Sequence, residues 1–150
     1  MNFGLDLAQW VAKTKANIDT VVRETVIGLG ERIVERTPVG NPDLWQATIK
    51  GRPPPPGYVG GRARANWQYG FGSAPQGDLP DIDPTGKVST NRIAAGALGS
   101  PAAGIHYIAN NLPYAEALEN GHSTQAPSGM VGLSVLEMQA ILSAEVAKIK

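Results

Sequence analysis

Two histidines, three closely spaced aspartates and one serine between proline and glycine are the side chains with which this chain could do chemistry. A metal centre needs His and carboxylate ligands that converge, usually announced by spacings such as HxH or HExxH. His106 and His122 stand sixteen positions apart with neither spacing around them, so the bland reading is a strand residue and a turn residue. Asp78, Asp81 and Asp83 in DLPDID could share a proton for acid–base work, but the flanking prolines read better as a solvated loop. Ser128 in PSGM lacks the GxSxG elbow of a hydrolase. Gly99 to Gly104 has the GxxxxG spacing of a phosphate loop, but Ile105-His106 follows where Lys-Ser/Thr is required. Gly28-Leu-Gly30 falls inside a helical pattern and is no dinucleotide fingerprint. No catalytic, metal or cofactor site is expected. A hydrolase built on His106 or His122 stands as a remote third reading.

Lys50, Arg52, Arg62 and Arg64 interleave with Tyr58, Trp67 and Tyr69. Cations among exposed aromatics can hold a single-stranded nucleic acid by stacking, so a nucleic-acid-binding module using Arg52, Arg62, Arg64, Trp67 and Tyr69 is the alternative function. The competing reading buries the aromatics in a core. The chain as a whole offers no field for a polyanion, with 13 basic and 13 acidic residues. Its regions differ: residues 36–64 hold five cations against one carboxylate, and residues 78–119 hold five carboxylates against two cations. That contrast suits head-to-tail self-association.

The elements that position these residues follow from periodicity. Leu7, Val11, Ile18, Val22, Leu29 and Ile33 form one apolar stripe, predicting a helix over 5–36 that stops before Thr37-Pro38. Gly28 and Gly30 within it imply a kink or a close neighbour. Residues 38–61 read as a long irregular connection, with a polyproline II run at Pro53–Pro56. Alternation of Ala63, Ala65, Trp67, Tyr69 and Phe71 with polar residues predicts a strand over 62–72. Asp83 is expected to cap a helix that has Pro84 at its first position and Ile93, Ala94, Ala97 and Leu98 inside. A second strand is expected over 104–111, about two helical turns over 113–119, and a short strand over 130–133. Ser134 and Glu137 then read as the capping box of a last helix, with Leu136, Ala140, Ile141 and Ala144 as its apolar face.

The expected fold is therefore α+β in one domain over 1–150: a long N-terminal helix on a small, mainly antiparallel sheet, with a short middle helix and a C-terminal helix. At this length a core forms without disulfides, and there are no cysteines to make them. MNFGLDLAQWVAKTK lacks the pattern of a secretory leader and no apolar run reaches membrane-spanning length, so the default expectation is a soluble cytoplasmic protein.

Three segments, in order, carry a resemblance. They are Arg36-Thr-Pro-Val39, Gly61-Arg-Ala-Arg-Ala-Asn-Trp-Gln68 and Asn110 to Met130, NNLPYAEALENGHSTQAPSGM. Together they resemble the neck and tail-completion (head–tail joining) proteins of long-tailed bacteriophages and prophages, the lambda minor tail protein Z type. The Pro/Gly-rich stretch at about 40–60 departs from that family's shorter connection. The resemblance implies a structural virion protein, assembled in the host bacterial cytoplasm. It implies a homo-oligomeric ring at the neck or tail end, in contact with tail-tube or tail-terminator and head-connector proteins. DNA would pass through the lumen without sequence-specific binding, and no cofactor, metal or membrane is implied. The subunit and partner interface is expected to draw on Arg62, Arg64, Trp67, Tyr114, Glu119, His122 and Gln125. In this reading the loop after Glu119 is a shaped recognition surface that rigid turns hold ready.

Overall fold

The computed structural model describes residues 3–44 and 54–148. Helix α1 (Phe3–Arg36) is followed by a 3-10 turn at Pro42–Leu44, the short helix α2 (Arg62–Ala65) and strand β1 (Gln68–Phe71). Then come α3 (Lys87–Gly99), β2 (His106–Ala109), α4 (Ala115–Glu119), α5 (Val131–Leu136) and α6 (Met138–Ala147). The two strands pair antiparallel, Gln68 opposite Ala109 and Phe71 opposite His106. The architecture is mixed α+β and mostly helical, as the periodicity predicts.

α1 organises the rest. Ile33 and Val34 at its C-terminal end join Trp67, Ile93, Ala126 and Met130 in the buried core, with Leu29, Tyr69, Ile108, Leu118 and Val131 packed around them. The glycines in α1 mark close neighbours, and the helix is continuous through them. A Cβ on Gly30 would lie 2.8 Å from Ile93 Cγ2, and one on Gly28 would lie 3.3 Å from Ile141 Cγ2. The cost of glycine in a helix is thus offset by packing of α3 and α6.

Several local expectations are corrected. Residues 62–65 form a helical turn, with Ala65 N–H donating to Gly61 O at 2.9 Å, and the strand begins only at Gln68. The alternation misled because both kinds of position are enclosed: Asn66 and Gln68 are buried alongside Ala63, Ala65 and Trp67. Asn66 can be buried because its amide donates to Arg62 O and Leu79 O and accepts from Leu79 N–H. α3 starts at Lys87, with Gly86 rather than Asp83 in the capping position. Asp83 still works for that terminus, since its carboxylate accepts from Val88 N–H at 2.7 Å and from the N–H and hydroxyl of Thr85. Burial would raise its pKa, but these hydrogen bonds outweigh it and the net shift is downward. Ile93 and Ala97 are buried as expected, whereas Leu98 is exposed.

Residues 130–133 are not a strand, because Val131 opens α5. Ser134 and Glu137 are not a capping box. Ser134 lies within α5 and its hydroxyl donates to Met130 O at 2.7 Å, while Glu137 pairs with Arg32 and Arg36 of α1 at 2.5 and 2.6 Å. Of the apolar face assigned to the last helix only Ile141 is buried, and Leu136 belongs to α5 and is exposed. The proline run bends into a turn at Pro56-Gly57, closed by Tyr58 N–H on Pro55 O at 3.0 Å; Pro53 lies outside the described residues. No helix among the described residues is long and apolar enough to cross a membrane.

Candidate interaction surface

The three segments singled out in the sequence meet at the C-terminal end of α1. That end exposes carbonyls that have no helical partner. Arg64 supplies donors for them: its guanidinium donates to Glu35 O at 3.0 Å and to Thr37 O at 2.8 and 3.0 Å, and reaches Pro84 O at 2.8 Å. Arginine suits this position because its planar fork can serve several acceptors at once. Thr37 is completely buried, accepting from the Trp67 indole N–H at 2.7 Å and donating to Ile33 O at 2.7 Å. The second and third segments are joined by Asn110, whose amide donates to Ala63 O at 2.8 Å.

The loop from Leu118 to Met130 then closes over this junction. Glu119 turns its carboxylate onto the start of α5 and accepts from the N–H groups of Met130, Val131 and Gly132, each at 2.8 Å. Burial would raise its pKa, but the three backbone donors prevail and hold it below the ordinary carboxylate value. Gly129 makes the approach possible: its φ of +78° is left-handed, and a Cβ there would strike the Glu119 carbonyl oxygen. Gly129→Ala is therefore expected to cost at least about 1–2 kcal/mol from backbone strain alone, with the clash added, as read by urea denaturation. At the loop's outer side the Gln125 amide clasps the backbone of Val39, donating to its O at 2.8 Å and accepting from its N–H at 3.3 Å. Between loop and helix end lies an open cleft of about 290 Å³, bordered by Glu35, Arg36, Pro38, Arg64, Gln125 and Ser128.

The residues proposed from sequence divide into three groups. Trp67 is 4% exposed and is a core residue, and Arg64 and Glu119 are spent on holding the chain together. Gln125 is exposed and pins the loop, and His122 is exposed on the same loop, its backbone N–H donating to Ala117 O. Arg62 and Tyr114 come together elsewhere on the surface. Arg62 pairs with Asp78 at 2.6 Å, and burial raises the Tyr114 pKa while the Arg62 charge pulls it down. Part of this charge is paired within the chain: Arg62 with Asp78 joins the basic and acidic regions, Arg92 with Asp81 lies within the acidic one, and Arg36 pairs with Glu137, which lies outside both.

Arg32, Arg36 and Glu137 were legible only in hindsight. Two arginines four positions apart share a helix face and can share one carboxylate, but Glu137 looked like half of a local cap. His106 is enclosed by Tyr69 and Phe71. Its Nε2 lies 3.0 Å from Ala102 O, which can only accept, so in the neutral ring Nδ1 accepts from the Tyr69 hydroxyl at 2.8 Å. Among the described residues no three His, Asp or Glu side chains are grouped to hold a metal ion. Compared with protein-family models, curated proteins and solved structures, the chain matches none.

Proposed function

We propose that this chain is a non-enzymatic structural protein of a bacteriophage or prophage, completing or terminating the tail and joining it to the head connector as a ring around the DNA channel. The observation that carries the reading is that the three resembling segments bond to one another. Arg64 and Trp67 of the second hold Thr37 of the first, Asn110 of the third holds the second, and Gln125 of the third holds Val39 of the first. Residues scattered over almost 100 positions of sequence therefore form one mutually braced unit with a pre-set loop on its outside. Such a loop loses little freedom on binding, which favours repeated, geometrically defined contacts over chemistry. In a closed ring each contact is heterologous, and many weak contacts add to firm attachment at both faces. Arg62, Tyr114, His122 and Gln125 are the outward residues offered to neighbours.

The nucleic-acid reading keeps fewer of its residues. Trp67 is buried, Arg64 is committed to carbonyls, Tyr69 bonds His106, and Arg52 lies outside the described residues. The deciding experiment mixes the purified protein with cognate tails that lack it and reads mass by light scattering. Tails that take up a discrete ring and become competent to join heads are expected; protein that ignores such tails overturns the proposal.

A further inference from the structure

Asn120 is the only one of the eight asparagines that is followed by glycine. That pair has a chemistry of its own. The backbone nitrogen of the glycine, with no side chain to block its approach, can attack the asparagine side-chain carbonyl carbon and close a five-membered imide. A bond forms between Gly121 N and Asn120 Cγ, the Cγ–Nδ2 bond breaks, and ammonia leaves with the proton given up by the backbone amide. Water then opens the imide at either carbonyl and leaves aspartate or isoaspartate at position 120. No oxidation state changes, and water is the only co-reactant. Asn120 is exposed, so water reaches it.

The folded turn opposes this reaction. Closing the imide requires Gly121 N to eclipse the Asn120 Cα–Cβ bond, but ψ of Asn120 is 16°, which holds the nitrogen more than a right angle away. The nitrogen must also lose its proton, and that N–H donates to Leu118 O at 3.1 Å. The conformation is braced on both sides. His122 N–H donates to Ala117 O and Asn120 N–H to Glu116 O, both at 3.0 Å, so α4 ends in the double closure that a left-handed glycine permits. Glu119 and Gln125 fasten the rest of the loop to α5 and to Val39. The returning chain lies so close that a Cβ on Gly121 would strike Pro127 O.

We infer that Asn120 is a self-modifying site, whose deamidation is held off by the closed turn and proceeds while the loop over 120–129 is open. The step runs one way. An aspartate adds a negative charge at the C-terminal end of α4, where Glu116 and Glu119 already stand and the helix dipole opposes another. Isoaspartate in addition lengthens the main chain by one carbon, which shifts the groups that made the two closing hydrogen bonds. A chain whose loop has opened for long enough is thus permanently marked. The inference rests on the turn and is independent of the function proposed above.

The whole 150-residue chain serves for the test, kept native and, in parallel, unfolded in guanidinium in the same mildly alkaline buffer. Conversion is read by mass spectrometry of the peptide that carries Asn120, with isoaspartate resolved by chromatography. In the unfolded chain Asn120 is expected to convert ahead of the other seven asparagines. In the native chain its rate should fall at least about tenfold, because the fraction of time the turn is open sets the pace. Glu119→Gln, which loosens the tie to α5, should speed the native reaction several-fold while circular dichroism still reports a folded chain. Guanidinium below the unfolding transition should leave the native rate almost unchanged, since opening one loop exposes little surface. Equal rates in native and unfolded chains overturn the proposal, as does another asparagine converting first in the unfolded chain. A native rate that climbs in step with global unfolding overturns it too, as does an unchanged rate in a folded Glu119→Gln. If Glu119→Gln fails to fold, Gln125→Ala, which cuts the clasp on Val39, takes its place with the same two outcomes.

Discussion

Trp67→Ala is expected to destabilise the protein by about 3–5 kcal/mol, enough to leave a domain of this size close to unfolding at 37 °C. The indole is enclosed by Ile33, Val34, Ile93 and Met130, all buried members of one cluster, so its removal opens a cavity that rigid helices cannot close. The change also removes the indole N–H that donates to the completely buried Thr37 hydroxyl oxygen, which keeps its own bond to Ile33 O. Trp67→Phe separates the two effects. It keeps most of the apolar volume and loses the hydrogen bond, and should cost about 1–2 kcal/mol from the bond with a smaller contribution from the altered shape. Guanidinium denaturation of the two variants reads both terms. If Trp67→Ala cost no more than Trp67→Phe, the packing account of this residue would be wrong.

Glu119→Gln should be the most informative substitution of a charged group, with a loss of about 2–3 kcal/mol at neutral pH. The carboxylate receives three backbone N–H groups that have no partner within α5, and an amide oxygen can satisfy fewer of them with less charge. Its pH dependence follows from the direction of the shift. The folded pKa lies below the ordinary value of 4.5, so the folded state binds this proton more weakly than the unfolded chain does. The stabilisation is therefore complete above about pH 4.5 and drains away as pH falls through the folded value. Wild type and Glu119→Gln should differ most at pH 6–7 and converge in acid. Asp83, shifted in the same direction, adds to the acid sensitivity of both proteins and so cancels in their difference. A stability gap that stays constant down to pH 2 would show that Glu119 does not act through its charge.

Both predictions fall on residues expected from the sequence at a partner interface; in the structure Trp67 is buried in the core and the partly buried Glu119 carboxylate is bonded to the backbone at the start of α5. The reason is common to them. Trp67 and Glu119 belong to segments whose residue types are unusual enough to suggest recognition, and these two side chains bond to other parts of the same molecule. The sequence alone determined the helix over α1, its stop at Thr37-Pro38, the two strands in outline and the turn at Asn120-Gly121. Each of these rests on local physics: the helical repeat of apolar residues, the exclusion of α geometry before proline, and the short side chains of a tight turn.

Only the tertiary structure decided the rest. The alternating stretch at 62–67 becomes a helical turn because burial on all sides, with every amide of Asn66 satisfied, outweighs a two-residue period. Residues 131–136 become a helix because a carboxylate twelve positions earlier neutralises its N-terminus. Ser134 and Glu137, well spaced for a local cap, are turned instead to Arg36 and Arg32, a hundred positions away. Which stretch of α1 is covered was likewise beyond the sequence, since its stripe is equally apolar at Leu7 and at Ile33. Local periodicity states which face of a helix seeks cover, but cover itself is a long-range property, set by where the chain's other helices end.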